Sequence, residues 1–253
     1  MFACRGTTAA AAAAALGGCA AALMLSGCYV DVGALQHHTA SYSISGTLQT
    51  LLVQPHVGDV DVTGERSGQV SVTEQVSYRH TAPPTTHRVS GGTLTLSSNC
   101  PANESCRVGY DVQVPQRMTV KVSTDAGEIR LSGLAGQVTA HTNAGDIDLN
   151  TLSGPIEITD HAGSILGKHM SSPRATLSSS VGSIDVTFSA APESISAVTA
   201  VGSVVLRVPG DVSYAVKAHT TVGSTKITVP EDQASGRGIA AHTATGSITI
   251  QPS

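Results

Sequence analysis

Residues 124–131 read Thr-Asp-Ala-Gly-Glu-Ile-Arg-Leu, and residues 142–149 repeat the pattern as Thr-Asn-Ala-Gly-Asp-Ile-Asp-Leu. A third copy, Ser-Ser-Val-Gly-Ser-Ile-Asp-Val, occupies residues 179–186. The glycines of successive copies are separated by 18, 18, 19, 20, 21 and 23 residues, and they are Gly127, Gly145, Gly163, Gly182, Gly202, Gly223 and Gly246. Self-similarity at such a period is typical of a solenoid, in which each repeat supplies one coil of a stack.

A finer period of nine residues runs through residues 127–163, where Gly136 and Gly154 divide the longer intervals. Nine residues suit one strand and one turn, so two such units make a coil. Aliphatic residues alternate with polar ones in these strands, which assigns one set to the interior. The predicted inward residues are Ile129, Leu131, Ile147, Leu149, Ile184, Val186, Val204, Leu206, Ile248 and Ile250 after the glycines, and Val138, Ala140, Thr142, Ile195, Ala197, Thr199, Ile239, Ala241 and Thr243 before them.

These patterns predict an all-β fold, a single-domain parallel β-solenoid over residues 44–253 with 18–23 residues per coil. A narrow interior filled by Val, Ile, Leu, Thr and Ala agrees with an aromatic content of 3% and the absence of Trp. A β-sandwich would also show alternating apolar and polar residues, but it does not require one sequence unit to recur in register. Pro252 is expected to end the stack, because proline cannot donate a hydrogen bond to a further strand.

The N-terminal sequence predicts export. An alanine-rich apolar run leads to Leu-Ser-Gly-Cys at residues 25–28, which has the pattern of a lipobox. Residues 1–27 are therefore expected to be a lipoprotein signal peptide, and Cys28 to carry lipid such as palmitate. A similar string ends at Cys19, but cleavage there would leave a shorter apolar leader. A transmembrane helix is the other alternative, although Gly17 and Gly18 interrupt the run and no basic cluster follows it.

Residues 28–43 are then expected to hold the lipidated cysteine and a flexible tether, with the folded domain beginning at residue 44. This organisation places the protein on the extracytoplasmic side of the cell membrane, attached by its lipid anchor. Cys100 and Cys106 remain as a pair around a turn with Pro101, and we expect a disulfide, which an oxidising compartment allows to persist. Zinc ligation is the weaker alternative, because no further Cys or His lies at a suitable spacing.

Composition excludes several classes of function. The formal net charge is −4, charged residues make up 13% of the chain, and no basic run is present, so nucleic acid is not an expected partner. The sequence also lacks a Gly-x-Ser-x-Gly elbow, a P-loop and a His-Glu-x-x-His string. We therefore expect that the protein is not an enzyme and that it binds no cofactor.

The outward positions of the repeats supply the candidate binding residues. Glu128, Arg130, Asp146 and Asp148 are predicted to share one outer face and to serve as surface-binding residues. Glu157 and Asp160 are predicted to be outward carboxylates on the following coil. Calcium binding by these carboxylates is the alternative to solvation, but the Gly-Gly-x-Gly-x-Asp loop of calcium-binding solenoids is not reproduced.

Three histidines precede their glycines in one register and are predicted to point outward, namely His141, His219 and His242. Stacking would place His219 and His242 about 5 Å apart on adjacent coils. A metal-binding or proton-sensing ladder is one interpretation and a solvated polar column is the other. No metal site is predicted, because no carboxylate or cysteine completes a ligand set in this register.

Residues 112–115, Val-Gln-Val-Pro, and the Thr-x-x-Gly-x-Ile-x-Leu units that follow as far as Ile165 resemble the bacterial putative-adhesin family of β-strand-repeat proteins. The resemblance covers about residues 45–250. It implies a β-solenoid that is anchored in or linked to the cell envelope, with no established catalytic residues, in a domain of unknown function.

Together these observations predict a non-enzymatic cell-envelope lipoprotein that presents a repetitive surface for adhesion or binding. Its expected partners are the membrane, through the lipid anchor, and an envelope glycan or surface protein. One alternative, suggested by the resemblance, is an envelope-stress sensing or regulatory component that acts through a membrane protein. The other is a β-helix enzyme that acts on polysaccharides.

Overall fold

A computed structural model of the protein describes residues 34–66, 68–101 and 105–253. The predicted leader and Cys28 lie outside the described residues. Within the described part of the chain, regular structure consists of strands, and no helix is long and apolar enough to span a membrane. The strands are β1 (Gln36–Ile44), β2 (Thr50–Pro55), β3 (Val60–Glu65), β4 (Val70–Tyr78), β5 (Thr85–Ser90), β6 (Thr93–Ser98), β7 (Cys106–Pro115), β8 (Thr119–Ala126), β9 (Ile129–Ser132), β10 (Val138–Ala144), β11 (Ile147–Asn150), β12 (Ile156–Ala162), β13 (Ile165–Met170), β14 (Arg174–Val181), β15 (Ile184–Phe188), β16 (Ser194–Val201), β17 (Val204–Val208), β18 (Ala215–Val222), β19 (Thr225–Ile227), β20 (Gly238–Thr245) and β21 (Ile248–Pro252).

The strands form two sheets that enclose one core. The first sheet has the order β1-β4-β7-β3-β9-β11-β13-β15-β17-β21-β19, and the second has the order β18-β20-β16-β14-β12-β10-β8-β2-β6-β5. From β8 to β17 the chain alternates between the sheets, so each coil contributes one strand to each sheet and pairs in parallel with the next coil. The predicted all-β parallel solenoid is confirmed.

The core lies between the two sheets and contains the predicted inward residues. Every aliphatic position predicted to be inward is at most 3% exposed, and Thr142, Thr199 and Thr243 are fully buried beside them. Full burial of an aliphatic side chain stabilises a fold by about 1.5–3 kcal/mol, so the stacked rows supply the main driving force. The repeat of the sequence is thus the repeat of the core.

The repeated glycines stack on one another at one corner of the coils. Gly145 has a φ of 141°, in the region that favours glycine, and a Cβ there would overlap the carbonyl oxygen of Gly127. The same close approach joins Gly127 to Gly58 and Gly163 to Gly145. The repeat therefore requires glycine both for its backbone conformation and for the distance between coils.

The C-terminal coils are out of sequence order in the stack. The coil β20–β21 pairs with β16–β17 on one side and with β18–β19 on the other. The prediction that Pro252 ends the stack is wrong, because β21 lies inside the first sheet, where Pro252 pairs with Val208. The edge strands at this end are β18 and β19.

The N-terminal end is also inverted and is widened by antiparallel strands. The coil β2–β3 lies between β6–β7 and β8–β9. Beyond it, β4 and β1 extend the first sheet and β5 extends the second, all by antiparallel pairing. Because β1 begins at Gln36, ordered structure starts inside the segment predicted as a flexible tether. The predicted disulfide between Cys100 and Cys106 is present and joins the segment that follows β6 to the start of β7.

Residues Gly33–Ser253 form one compact unit that includes all of these strands and the core. Each strand pairing of the described residues is made within this unit. A fragment of residues 29–253 therefore keeps every contact that defines the two sheets.

Candidate binding face

The outer side of the first sheet carries a charged surface near the N-terminal half of the stack. Parallel pairing aligns its side chains in a row, in which Asp111 pairs with Asp61, Asp61 with Arg130, and Arg130 with Asp148. Neighbouring strands in such a row are about 4.8 Å apart. We call this surface the acidic face, and it comprises Asp59, Asp61, Arg107, Asp111, Glu128, Arg130, Asp146 and Asp148.

The two arginines of the acidic face are already paired. Arg107 Nη2 lies 2.5 Å from Asp59 Oδ1. Arg130 of β9 pairs with Glu128, which immediately precedes the same strand. These pairs are partly exposed, and such pairs contribute at most about 1 kcal/mol. Among the described residues, no cation lies within ion-pair distance of Asp61, Asp111 or Asp148. The face therefore carries an excess of negative charge.

The pKa values of two carboxyl groups reflect this crowding of negative charge. Burial raises the pKa of Asp61, and the neighbouring Asp111 raises it further, while Arg130 opposes the effect. Burial also raises the pKa of Glu128; Arg130 lowers it, and Asp148 raises it again. A cationic group placed between these carboxylates would stabilise their ionised forms. The electrostatics of the face thus favour a positively charged ligand.

Two aspartates of the face also hold neighbouring coils together. Asp59 Oδ1 accepts a hydrogen bond from the backbone N–H of Glu128 at 2.9 Å, and Asp146 Oδ1 accepts one from Ser164 N–H at 2.8 Å. Serine performs the same task further along, where Ser183 Oγ accepts from the N–H of Ser203 at 3.2 Å. At these positions the residue that follows the glycine is therefore a bridge between coils, which gives Asp146 a structural role besides its charge.

A shallow, open depression of about 270 Å³ lies at the N-terminal end of the acidic face. It forms where Gly109 presents no side chain to the outer surface, between Gln75 of β4 and Asp59. Its charged lining comprises Asp59, Asp61, Arg107, Asp111 and Arg130. Of the four residues predicted from sequence, Arg130 lines this depression, and Glu128, Asp146 and Asp148 lie beside it on the same sheet.

Sequence reasoning missed Asp59, Asp61, Arg107 and Asp111. The first two belong to Gly-Asp-Val-Asp at residues 58–61, which matches Gly-Asp-Ile-Asp at residues 145–148, so the repeat itself carried that signal. Arg107 and Asp111 gave no such signal, because they lie on β7, which joins the face only through the inverted order of the N-terminal coils.

The remaining sequence candidates are dispersed. Glu157 lies on the second sheet, facing away from the acidic face. The prediction that Asp160 points outward is wrong, because it occupies the inward register of Thr142 and is 1% exposed. Its carboxylate accepts hydrogen bonds from Ala162 N–H and Ser179 Oγ, and burial raises its pKa.

The predicted pair of His219 and His242 is confirmed, with stacked rings whose centroids are 5.5 Å apart. His141 instead meets His161, at 5.2 Å and with perpendicular rings. The described residues contain no group of three or more His, Cys, Asp or Glu side chains able to hold a metal ion. The three histidines therefore do not form one continuous ladder.

Comparison with known proteins adds fold-level information. The family model described as Toastrack DUF4097 matches residues 45–251. A search of curated proteins gives no match. A crystal structure described as a putative adhesin from Bacteroides fragilis NCTC 9343 is 16% identical, with a TM-score of 0.52, and the alignment covers 86% of this chain and 97% of that chain.

Another crystal structure, of a putative adhesin from Parabacteroides merdae ATCC 43184, is 10% identical with a TM-score of 0.42, covering 85% of this chain and 96% of that chain. The likeness to the Bacteroides fragilis protein shows the shared fold.

Proposed function

Because the chain belongs to the Toastrack DUF4097 family, whose two-sheet scaffold here carries a charged outer surface, we propose that it is a non-enzymatic binding module of the cell envelope. In this proposal Cys28 carries the lipid anchor and the domain stands on the extracytoplasmic side of the membrane. The acidic face is the binding surface.

The observation that supports this function is the excess of carboxylates on a rigid surface. Asp61, Asp111 and Asp148 occupy one row whose spacing is fixed by strand pairing, and the two nearby arginines are engaged with other acids. An extended ligand with amino or guanidinium groups could contact several of them together. The site is open and shallow, which suits the capture of a polymer better than the enclosure of a reacting bond.

The ligand in this proposal is an envelope glycan or a surface protein that carries positive charge. Both would use the same contacts with Asp61 and Asp111. They differ in their sensitivity to protease, which allows one binding assay to separate them.

The test is co-sedimentation of the fragment of residues 29–253 with isolated cell envelopes, before and after protease treatment of the envelopes. We expect binding that falls several-fold in the double variant Asp61→Asn, Asp111→Asn, because the isosteric change removes two negative charges. Glu157→Gln removes a carboxylate from the other sheet and is the matched control. Binding that survives protease indicates a glycan, and binding that is lost indicates a protein partner.

Three results would contradict the proposal. The first is the absence of any binding, and the second is equal loss of binding in the control and in the double variant. The third is the release of soluble sugars from the envelopes, which would establish an enzyme.

A further inference from the structure

The outer side of the second sheet has a different character near the C-terminal end of the stack. Its strands there are β14, β16, β20 and β18, in that spatial order. Asp and Glu are absent from the described residues of these four strands. The acidic face and this surface therefore lie on opposite sheets and have opposite chemistry.

Four exposed valines cluster on this surface. Val181, Val201 and Val222 are 56%, 49% and 61% exposed, and Val198 is 39% exposed. They are four of the seven large hydrophobic residues that are exposed in the described part of the chain. Single exposed aliphatic residues are normal on a protein surface, but a contiguous group marks a contact site.

Strand register places three of the valines in one row, with Thr245 between Val201 and Val222. Val181 pairs with Val201, and both Val201 and Val222 pair with Thr245, which places these three valines and Thr245 in one ridge at the corner before the glycines. Four adjacent strands span about 14 Å. We call the ridge, together with Val198 of β16 and Lys217 of β18, the valine face.

The fold does not require valine at these positions. The earlier coils have alanine in the same register, where Ala162 pairs with Val181 and Ala144 with Ala126. Both residue types accommodate the same turn before the same glycine. Packing between coils therefore does not explain why the last coils carry the larger valine side chains at these exposed positions.

Positive charge accompanies the apolar ridge. Lys217 is exposed on β18 and makes no ion pair with a described residue. His219 and His242 lie between Lys217 and the ridge and add no negative charge. Arg174 Nη1, at the start of β14, lies 3.8 Å from Glu193 Oε2, just before β16, so this arginine is already paired.

The charge of this surface distinguishes between its two candidate occupants, a second copy of the chain and a lipid bilayer. A second copy packed through the same surface would offer Lys217 no carboxylate from these four strands, and Glu193, which precedes β16, is already engaged by Arg174. An anionic lipid bilayer offers acyl chains to the valines and negative headgroups to Lys217. We propose that the valine face rests on an anionic lipid bilayer.

The test is co-sedimentation of the residue 29–253 fragment with vesicles of phosphatidylcholine alone or with phosphatidylcholine and phosphatidylglycerol at 3:1. We expect at least several-fold stronger binding to the anionic vesicles. The triple variant Val181→Ser, Val201→Ser, Val222→Ser and the single variant Lys217→Glu should each reduce this binding several-fold. Circular dichroism establishes that each variant is folded.

The matched controls lie on the first sheet. Leu166→Ser removes an exposed hydrophobic residue there, and Lys226→Glu reverses an exposed lysine on β19, so neither should change vesicle binding. Absence of vesicle binding, equal binding to both vesicle types, or equal losses in the controls would overturn the proposal. A concentration-dependent dimer that the triple variant abolishes in sedimentation velocity would overturn it too, because the ridge would then be a protein interface.

This inference is separate from the proposed ligand binding of the acidic face. The Asp61→Asn, Asp111→Asn variant should bind vesicles like the unmodified fragment. Failure of either experiment leaves the other interpretable.

Discussion

At the scale of single residues, the repeat is maintained by a few positions with strict requirements. In several coils the hydroxyl before the glycine donates to a neighbouring coil, as Thr199 does to the carbonyl of Gly182 and Thr243 to that of Gly202, both at 2.9 Å. Asp160 breaks this pattern, because an ionised carboxylate in the same register can only accept hydrogen bonds. It is a charged residue in a column of hydroxyls.

Asp160→Asn is predicted to change the pH dependence of stability. Burial raises the pKa of Asp160 in the folded state, so its contribution to stability is fully present below the unfolded pKa and is lost as pH rises through the folded pKa. The unfolded pKa of an aspartate is about 3.9. The unmodified protein should therefore lose stability relative to Asp160→Asn as pH rises from this value toward neutrality.

Urea midpoints measured between pH 4 and pH 7 for both proteins check this expectation. Asparagine keeps the acceptor for Ala162 N–H but loses the acceptor for Ser179 Oγ, so only the part of the stability difference that varies with pH reports the charge. A stability difference that is constant across this pH range would contradict it.

Gly145→Ala is predicted to destabilise the protein by at least about 2 kcal/mol, because it combines a positive φ with overlap against the carbonyl of Gly127. Gly236→Ala is the matched change, since its Cβ would enter open space. Denaturant unfolding of both variants checks the prediction. Equal midpoints for the two would mean that the glycine column tolerates a side chain.

At the scale of strands, alternation predicted the inner and outer faces, but not which coils are neighbours. Every coil presents the same inward pattern, so β18–β19 and β20–β21 could each complete the sheets beside β16–β17 without exposing an apolar row. The inverted order was therefore beyond sequence reasoning. The same ambiguity concealed Arg107 and Asp111, which join the acidic face through β7. The prediction for Asp160 is wrong because a carboxylate indicates a surface position, whereas its register with Thr142 places it in the interior.

The inverted order predicts an unusual pattern of hydrogen exchange. Strands β18 and β19 pair on one side only, whereas β20 and β21 pair on both sides although they follow in the chain. Amides of residues 215–227 should exchange faster than those of residues 238–252. Exchange followed by mass spectrometry on peptides from the two segments measures this. Faster exchange at the C-terminus would contradict the strand order.

At the scale of the whole molecule, stability is distributed along the stack, because each coil contacts chiefly its neighbours. The middle coils are held from both sides. The C-terminal end is held from one side, and its edge strands retain partly exposed core residues such as Ile227.

The same substitution is therefore predicted to cost more in the middle than at the end. Ile147→Ala removes a fully buried side chain from β11 and should destabilise the protein by about 2–5 kcal/mol. Ile227→Ala, on the edge strand β19, should cost less than about 2 kcal/mol, because the side chain is only partly buried. Guanidinium midpoints give both values, and equal costs would show that the stack unfolds without regard to position.

The regular coils between β8 and β17 allow the number of coils in the stack to vary. In residues 119–208, coils that follow one another in the chain are also neighbours in space, and each of the outer inversions is completed by strands from outside this segment. Duplication or loss of one coil here would preserve both ends, whereas the same event at either end would remove a strand's partner. Length variation among related chains should therefore fall in this segment, so that the distance between the two ends changes in steps of one coil.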